Sequence, residues 1–432
     1  MNFTLVVPNG TTNHGNPHLL CTPPKWYDVA LFYFANYFAH AATVVSYPGQ
    51  GTLETALAVV KALLLPGTGV FPAAETTLRH PALIRGDALA QANRARALCM
   101  VVKSRPRRLC FVNNPRRGIA ALRPNNFQLE RLDAKHRWWE CKSAEGRVSM
   151  GSTIHGEFKL PRGYDLNYVP LTASLEFAKP GEVLVDPGTT TESMTGPMFL
   201  DYSPRLESTY NFPKLFVSLA QATWACVTLY RARGDQIERY GYAAFGLTVA
   251  PYACMSIINI VANLLAPDYP SIFLVRTPSM DEAEAKGGYC SGELHVKINP
   301  ESAVMHDEYT YSAAESGILG VLLSLTPLAI IGGLSHFRNQ KSTSIQRGFT
   351  MSWVVFGIFT AVNSASVYSS VDYDWSGQRL LGNGRFSSLG YAYKSSLVLR
   401  NIYFMAVWGV ASIGGMVVVG KMIAEYGICT WI

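Results

Sequence analysis

Charge is scarce in this sequence. Asp, Glu, Lys and Arg make up 16% of its 432 residues, against about 25% in an ordinary soluble domain. The common catalytic signatures are missing as well. There is no GxxxxGK[ST], no HExxH, no GxSxG and no GxGxxG opening a helix, so nucleotide cradling, zinc proteolysis and the serine-hydrolase elbow are not expected. No CxxC pair occurs among the eight cysteines, which argues against a structural zinc site. The first 25 residues lack a basic start followed by an apolar core, so no cleaved signal is expected and the first apolar block stays in the chain. No cofactor is implied.

What is abundant is apolar. Hydrophobic residues reach 49% and the mean hydropathy is +0.11. The formal net charge is +7. No basic run is interleaved with aromatics in the manner of an RNA-binding surface, so the charge reads as affinity for an anionic membrane surface and not for nucleic acid.

A bilayer core of about 30 Å takes about 20 apolar residues in a helix. Seven blocks approach that length: Trp26–Tyr47, Leu53–Phe71, Phe212–Tyr230, Tyr240–Ala266, Gly317–Leu334, Phe349–Val371 and Asn401–Gly420. The second carries Glu54 and Lys61 and breaks at Pro66-Gly67; the fifth and sixth carry no charge at all. Aromatics gather at block ends, as at Trp26, Tyr47, Tyr230, Tyr240 and Tyr403, where interfacial belts form. The expected fold is an all-α polytopic membrane helix bundle of about seven transmembrane helices with a small α+β, β-rich extramembrane insertion. The organisation would be a polar tail (1–25), helices one and two (26–72), a large loop (73–210) with a β-rich unit at about 137–187, helices three and four (211–266), an acidic loop (267–315), helices five and six (316–371), a loop (372–400), a seventh helix (401–425) and a tail (426–432).

Orientation follows from the sequons Asn2-Phe3-Thr4 and Asn9-Gly10-Thr11 and from the basic links. Asn2 and Asn9 as N-glycosylation acceptors put the tail outside. Seven spans then place the links with Arg231, Arg233 and Arg239, and with Arg338, Lys341 and Arg347, inside, as the positive-inside rule prefers.

The large loop is too long to be structureless. From Pro81 to Val102 apolar residues fall at helical spacing and suggest a surface-lying helix. Lys103 to Arg117 is basic and turn-rich; the plain reading is a solvated loop, the sharper one contact with anionic lipid head groups. Ile154 to Leu160 and Tyr164 to Val169 alternate with period two and read as strands. His155 lies among them without an evident catalytic partner. Cys99, Cys226, Cys254 and Cys429 sit in apolar surroundings and read as buried thiols; Cys21, Cys110, Cys141 and Cys290 fall outside and permit two disulfides in any of three pairings. Asp372-Tyr373-Asp374 and His306-Asp307-Glu308 read as solvated acidic loops before they read as metal sites.

Polar residues inside the apolar blocks carry the functional expectation, because charge and amide groups in hydrocarbon are costly. Asp28 and His40 lie in the first block, Glu54 and Lys61 two turns apart on one face of the second, Asn259 and Asn263 one turn apart in the fourth, and Asn363 in the sixth. They would either cap, snorkel and bridge helices, or converge on a polar intramembrane pocket for a ligand of unknown kind. Ala411 and Gly415 form a small-residue face in the seventh block, suited to close helix packing.

Three stretches also carry a resemblance. Trp26-Tyr27-Asp28-Val29, His155-Gly156 with Leu160-Pro161-Arg162-Gly163-Tyr164, and Arg231 through Tyr252 together resemble an uncharacterised family of multi-pass integral membrane proteins from filamentous (ascomycete) fungi. The resemblance implies a plasma-membrane or endomembrane location and a fungal source, and no activity. The sequence therefore reads as a membrane protein acting as scaffold or sensor, with a seven-span receptor-like protein and a transporter or channel as alternatives. No catalytic residues are singled out; the partners expected are the lipid bilayer, with its anionic head groups on the sharper reading, and a ligand of unknown kind, and not nucleic acid.

Overall fold

The computed structural model describes residues 8–15, 17–84, 86–103, 148, 152–171, 173, 175–177, 206, 208–298, 309–369, 398–399 and 401–431. The chain divides into two compact units. Unit 1 takes residues 1–85, 208–270 and 310–432, and unit 2 takes 86–207 and 271–309. In chain order the elements are β1 (Leu19–Thr22), α1 (Trp26–Tyr33), a π turn at Phe34–Phe38, α2 (Ala39–Ala41), α3 (Thr52–Leu64), α4 (Gly67–Arg79), α5 (Ala88–Arg94), β2 (Leu98–Lys103), β3 (Phe158–Lys159), β4 (Tyr164–Tyr168) and β5 (Leu175–Phe177). Then come α6 (Phe212–Ala232), α7 (Asp235–Tyr240), α8 (Ala250–Leu265), β6 (Phe273–Val275), α9 (Pro278–Ala285), β7 (Tyr289–Cys290), β8 (Val296–Ile298), α10 (Tyr309–Ser335), α11 (Ser344–Ser369), α12 (Asn401–Trp408), α13 (Val410–Tyr426) and β9 (Ile428–Trp431).

Unit 1 is helical. α8 packs against α6 and α4, and α11 packs against α13 and α4. An aromatic group holds the middle: the Tyr37 ring lies 4.9 Å from Tyr252 and 5.3 Å from Trp353. The small-residue face of α13 meets α11 closely, since a Cβ built on Gly415 would stand 2.6 Å from the Trp353 ring. Helix boundaries follow local chemistry. Asn211 caps α6 by accepting from the Lys214 backbone N–H, and Pro251 sits in the first turn of α8, where a missing N–H costs nothing.

The expectation of seven spans is corrected here. By length and composition two helical stretches suffice to cross a bilayer among the described residues, Phe245–Leu265 and Ile318–Ser335, and up to four do if each of two bent pairs is one span. The second block is one of those pairs. It turns through 117° between α3 and α4, and an arm of 13 residues is only about 20 Å long. The seventh block bends by 55° between α12 and α13. The first block gives α1, a π turn and α2, ending at Ala41. The side chains of 361–369 in the sixth lie outside the described residues. A hydropathy window sums composition and is blind to the direction of the helix axis, which is why bent and interrupted helices pass for spans. Nor is the fold all-α, because it contains four small sheets.

A second observation rules out an odd number. β1 and β9 pair antiparallel, Leu19 facing Trp431 and Cys21 facing Cys429. Strands do not pair across a bilayer, so the chain between them crosses any membrane an even number of times. The expected sidedness changes too. His14 in the tail bonds Arg239 (Nδ1 to Nη1, 2.7 Å). The Tyr242 N–H donates to Arg338 O (3.1 Å) and the Lys341 N–H to Arg239 O (3.0 Å). The tail and both basic links therefore share one face of unit 1 and are not divided between two sides.

Unit 2 is α/β. β2 is the central strand of a three-stranded sheet ordered β4-β2-β6, antiparallel to β4 and parallel to β6. Its run Leu98 to Val102 is buried throughout, as a strand covered on both faces should be. The helix expected over Pro81 to Val102 is thus a short α5 followed by this strand; five consecutive apolar residues suit a buried strand better than an amphipathic helix. β3 pairs with β7, and β5 with β8. The stretch expected as an acidic loop supplies β6, α9, β7 and β8 of this unit.

Candidate functional site

The expected polar pocket is realised in part. His40 is fully buried, and its Nδ1 lies 2.6 Å from Ser256 Oγ of α8. Thr43 donates its hydroxyl to His40 O (2.7 Å), and Asn259 Nδ2 reaches Thr43 Oγ1 at 3.5 Å. His40 and Asn259 are therefore brought together, with Asn263 one turn further along α8. Ser256, Asn259 and Asn263 are spaced i, i+3, i+7, one stripe of that helix. Three buried atoms on these side chains have no hydrogen-bonding partner: His40 Nε2, Asn259 Oδ1 and Asn263 Nδ2. Such atoms suit an ordered water or a small neutral ligand. No charged side chain takes part in these bonds.

The other expected members go elsewhere. Asp28 Oδ2 accepts from the Lys25 backbone N–H (2.8 Å) and caps α1. Glu54 stands in the first turn of α3 and Lys61 in its last, where each sign complements the helix dipole. The side chain of Asn363 lies outside the described residues. Sequence reasoning missed Thr43, Ser256 and the groups that close the broken helix. α3 ends with unpaired carbonyls; Tyr252 OH donates to Leu63 O, and Trp353 Nε1 donates to Leu64 O at 3.0 Å. Beside the break lies a cavity of about 10 Å³, lined by Pro66, Gly67, Pro251, Cys254 and Pro327 among others. That is room for one water.

Cysteine pairing also departs from expectation. Cys21 is joined to Cys429, 408 residues away, while Cys290 is a free thiol. Burial first, then the Glu284 and Glu293 carboxylates, push the Cys290 thiol up to about 11, which leaves it unreactive. Cys110, Cys141 and the acceptor Asn2 lie outside the described residues; Asn9 is exposed. His14, Cys21 and Cys429 stand close enough to suggest a metal. The hydrogen bonds argue otherwise. A carbonyl only accepts, so His14 Nε2 donates to Tyr426 O (2.8 Å). A guanidinium only donates, so His14 Nδ1 accepts from Arg239. Both ring nitrogens are engaged and the two sulfurs hold each other.

In unit 2 the polar centre is Arg276, which binds Asp281 (2.7 Å), Glu284 (2.9 Å) and Glu293 (2.9 Å). Burial pulls its pKa down, but the three carboxylates outweigh that and hold it above the ordinary value. Lys103 bonds Glu282 (2.8 Å) nearby. The His155 ring packs on Phe273 at 5.0 Å. This unit shows a structural ion cluster and no nucleophile–base pair among the described residues.

Comparison with known protein families, characterised proteins and solved structures returns no match.

Proposed function

We propose that the chain is an integral membrane protein in which unit 1 is the embedded part and unit 2 a water-facing domain, and that it serves as a scaffold or sensor. The carrying observation is the polarity of unit 1. Its helices turn large apolar side chains outward: Phe216 is 69% exposed, Ile318 61%, Val410 60% and Leu322 59%. They turn polar ones inward, with His40, Ser218, Ser256, Asn259 and Ser412 at 2% or less. Water would favour the reverse; a lipid surround favours this. The paired strands β1 and β9 favour two crossings or four. The likeness to fungal membrane proteins is in keeping with this reading and adds no activity.

The small space beside the helix break supports a scaffold or sensor over a conduit, since it has room for one water. Ser256 and Asn259 of α8 are held by His40 and Thr43, which leaves the three unpartnered atoms of this group to a water or a small neutral ligand. Alkaline carbonate extraction of membranes from cells expressing the full chain tests the proposal. The protein should stay in the pellet and require detergent. Release as a monodisperse soluble protein would overturn it.

A further inference from the structure

The face of unit 1 that carries the paired strands β1 and β9 also carries four exposed bases that pair with no carboxylate among the described residues. Two links build it. The first runs from the last turn of α6, with Arg231, through Arg233 to α8; the second joins α10 to α11 and holds Arg338 and Lys341. The links are clamped together. Besides the two backbone bonds between them, Gly241 (φ +60°) approaches so closely that a Cβ would stand 1.9 Å from Arg338 O. The second link is itself stiff. His336, Phe337 and Gln340 adopt left-handed φ of 50°, 51° and 48°. Thr343 and Gln346 cap α11 reciprocally, each backbone N–H bonded to the other's side chain at 2.8 and 3.2 Å. Arg239 is spent on His14, and Arg347 on Ser342 and Ser344.

Arg231, Arg233, Arg338 and Lys341 are exposed, and among the described residues no carboxylate pairs with them. The acids on this face are Asp235, half-buried, and Glu238 and Glu425, exposed. The cations are flanked by exposed apolar side chains: Tyr230, Phe337 and Ile345. Both candidate spans end here, one starting at Phe245 and the other finishing at Ser335. The charges thus fall where a bilayer would present its head groups. The disulfide adds a further point. Disulfides persist in oxidising compartments, whereas the positive-inside rule concentrates bases on the other side. Topology alone does not account for four bases next to Cys21–Cys429.

We infer that this clamped platform is a binding site for the head group of an anionic phospholipid, with the phosphate held by Arg231, Arg233, Arg338 and Lys341 and the glycerol region resting on Phe337 and Ile345. The inference rests on the membrane reading above. Its test titrates the detergent-solubilised full chain with dioctanoyl phosphatidylglycerol, dioctanoyl phosphatidylcholine and inorganic phosphate, followed by thermal shift. Phosphatidylglycerol should bind at least tenfold more tightly than phosphatidylcholine, and inorganic phosphate should leave the melting temperature unchanged. Each charge removed by Arg231→Gln, Arg233→Gln, Arg338→Gln or Lys341→Gln should weaken binding about fivefold, since a base near an anionic surface contributes about 1 kcal/mol. Glu238→Gln, which removes an exposed acid, should strengthen it. Equal binding of the two lipids, a preference that survives the quadruple variant, or equal binding of inorganic phosphate would each overturn the assignment. Carbonate extraction of membranes from the same cells, before detergent is added, separates the two failures: a pelleted protein without lipid preference sinks the platform alone, a released one sinks the membrane reading itself.

Discussion

In unit 2 the large apolar side chains left open among the described residues are Phe177 and Tyr289, while on unit 1 they line α1, α6, α8, α10, α12 and α13. Unit 2 buries Cys99, Val101, Ile272, Leu274 and Met280 against one another and keeps its charges in bonded clusters at the edge. Unit 1 has an aromatic and methionine core, with hydroxyls and amides threaded between its helices. One chain therefore follows two burial rules, and the difference lies in the solvent each unit is built to meet. Water rewards hiding apolar surface. Lipid offers no such reward, so helices there are held by close packing of small residues and by internal hydrogen bonds.

The largest test of this contrast places one charge on each unit. Leu325→Arg, mid-way along the Ile318–Ser335 span and exposed, should cost about 2.5–3.5 kcal/mol of insertion. Phe177→Arg, equally exposed on β5, should change stability by no more than about 0.5 kcal/mol. Membrane insertion and melting of the two variants give the comparison, and equal small costs would collapse it. Next comes Arg276→Gln, which strands Glu284 and Glu293 without their cation and should cost about 1–3 kcal/mol. Hydrogen exchange should show α9 and β6 opening faster while the helices of unit 1 are unaffected; unchanged protection would mean the cluster is ornamental. A smaller effect is expected from Ser256→Ala, which removes the His40 bond. Interhelical bonds within lipid average about 0.6 kcal/mol, and a loss above about 2 kcal/mol would show the stripe to be more than packing.

The smallest effect is pH-dependent and confined to unit 2. The hydrogen bond from Lys103 holds Glu282 below its ordinary value of 4.5. A carboxyl depressed in the folded state stabilises at pH above its unfolded value, and loses that contribution as pH falls through the folded one. Protection of β2 should thus be flat above about pH 5 and decline below it in the parent, but not in Glu282→Gln. Both side chains are about half exposed, so salt should shrink the effect.

How much of this was legible depends on the range of the interaction. The stripe Asn259 and Asn263 shows in the sequence because one helix carries it; its partners His40 and Thr43 lie over 200 residues away and leave no local mark. The strand at Tyr164 to Tyr168 announces itself by alternation, but its neighbour β2, and β6 beyond β2, come from distant stretches on either side of it in the sequence. Cys429 reads as a buried thiol because the residues around it are apolar; only the β1 pairing reveals its role. The helix break at Pro66-Gly67 is visible in composition, yet its angle is set by Tyr252 and Trp353, whose donors satisfy the carbonyls the break exposes.

The bond between Cys21 and Cys429 makes the covalent order of this molecule cyclic. A protease that nicks any exposed link between those residues leaves one piece of unchanged mass on a non-reducing gel and two after reduction. With β1 and β9 already side by side, a short joint between them and a new opening at an exposed link should yield a permuted protein with the same helices in the same places.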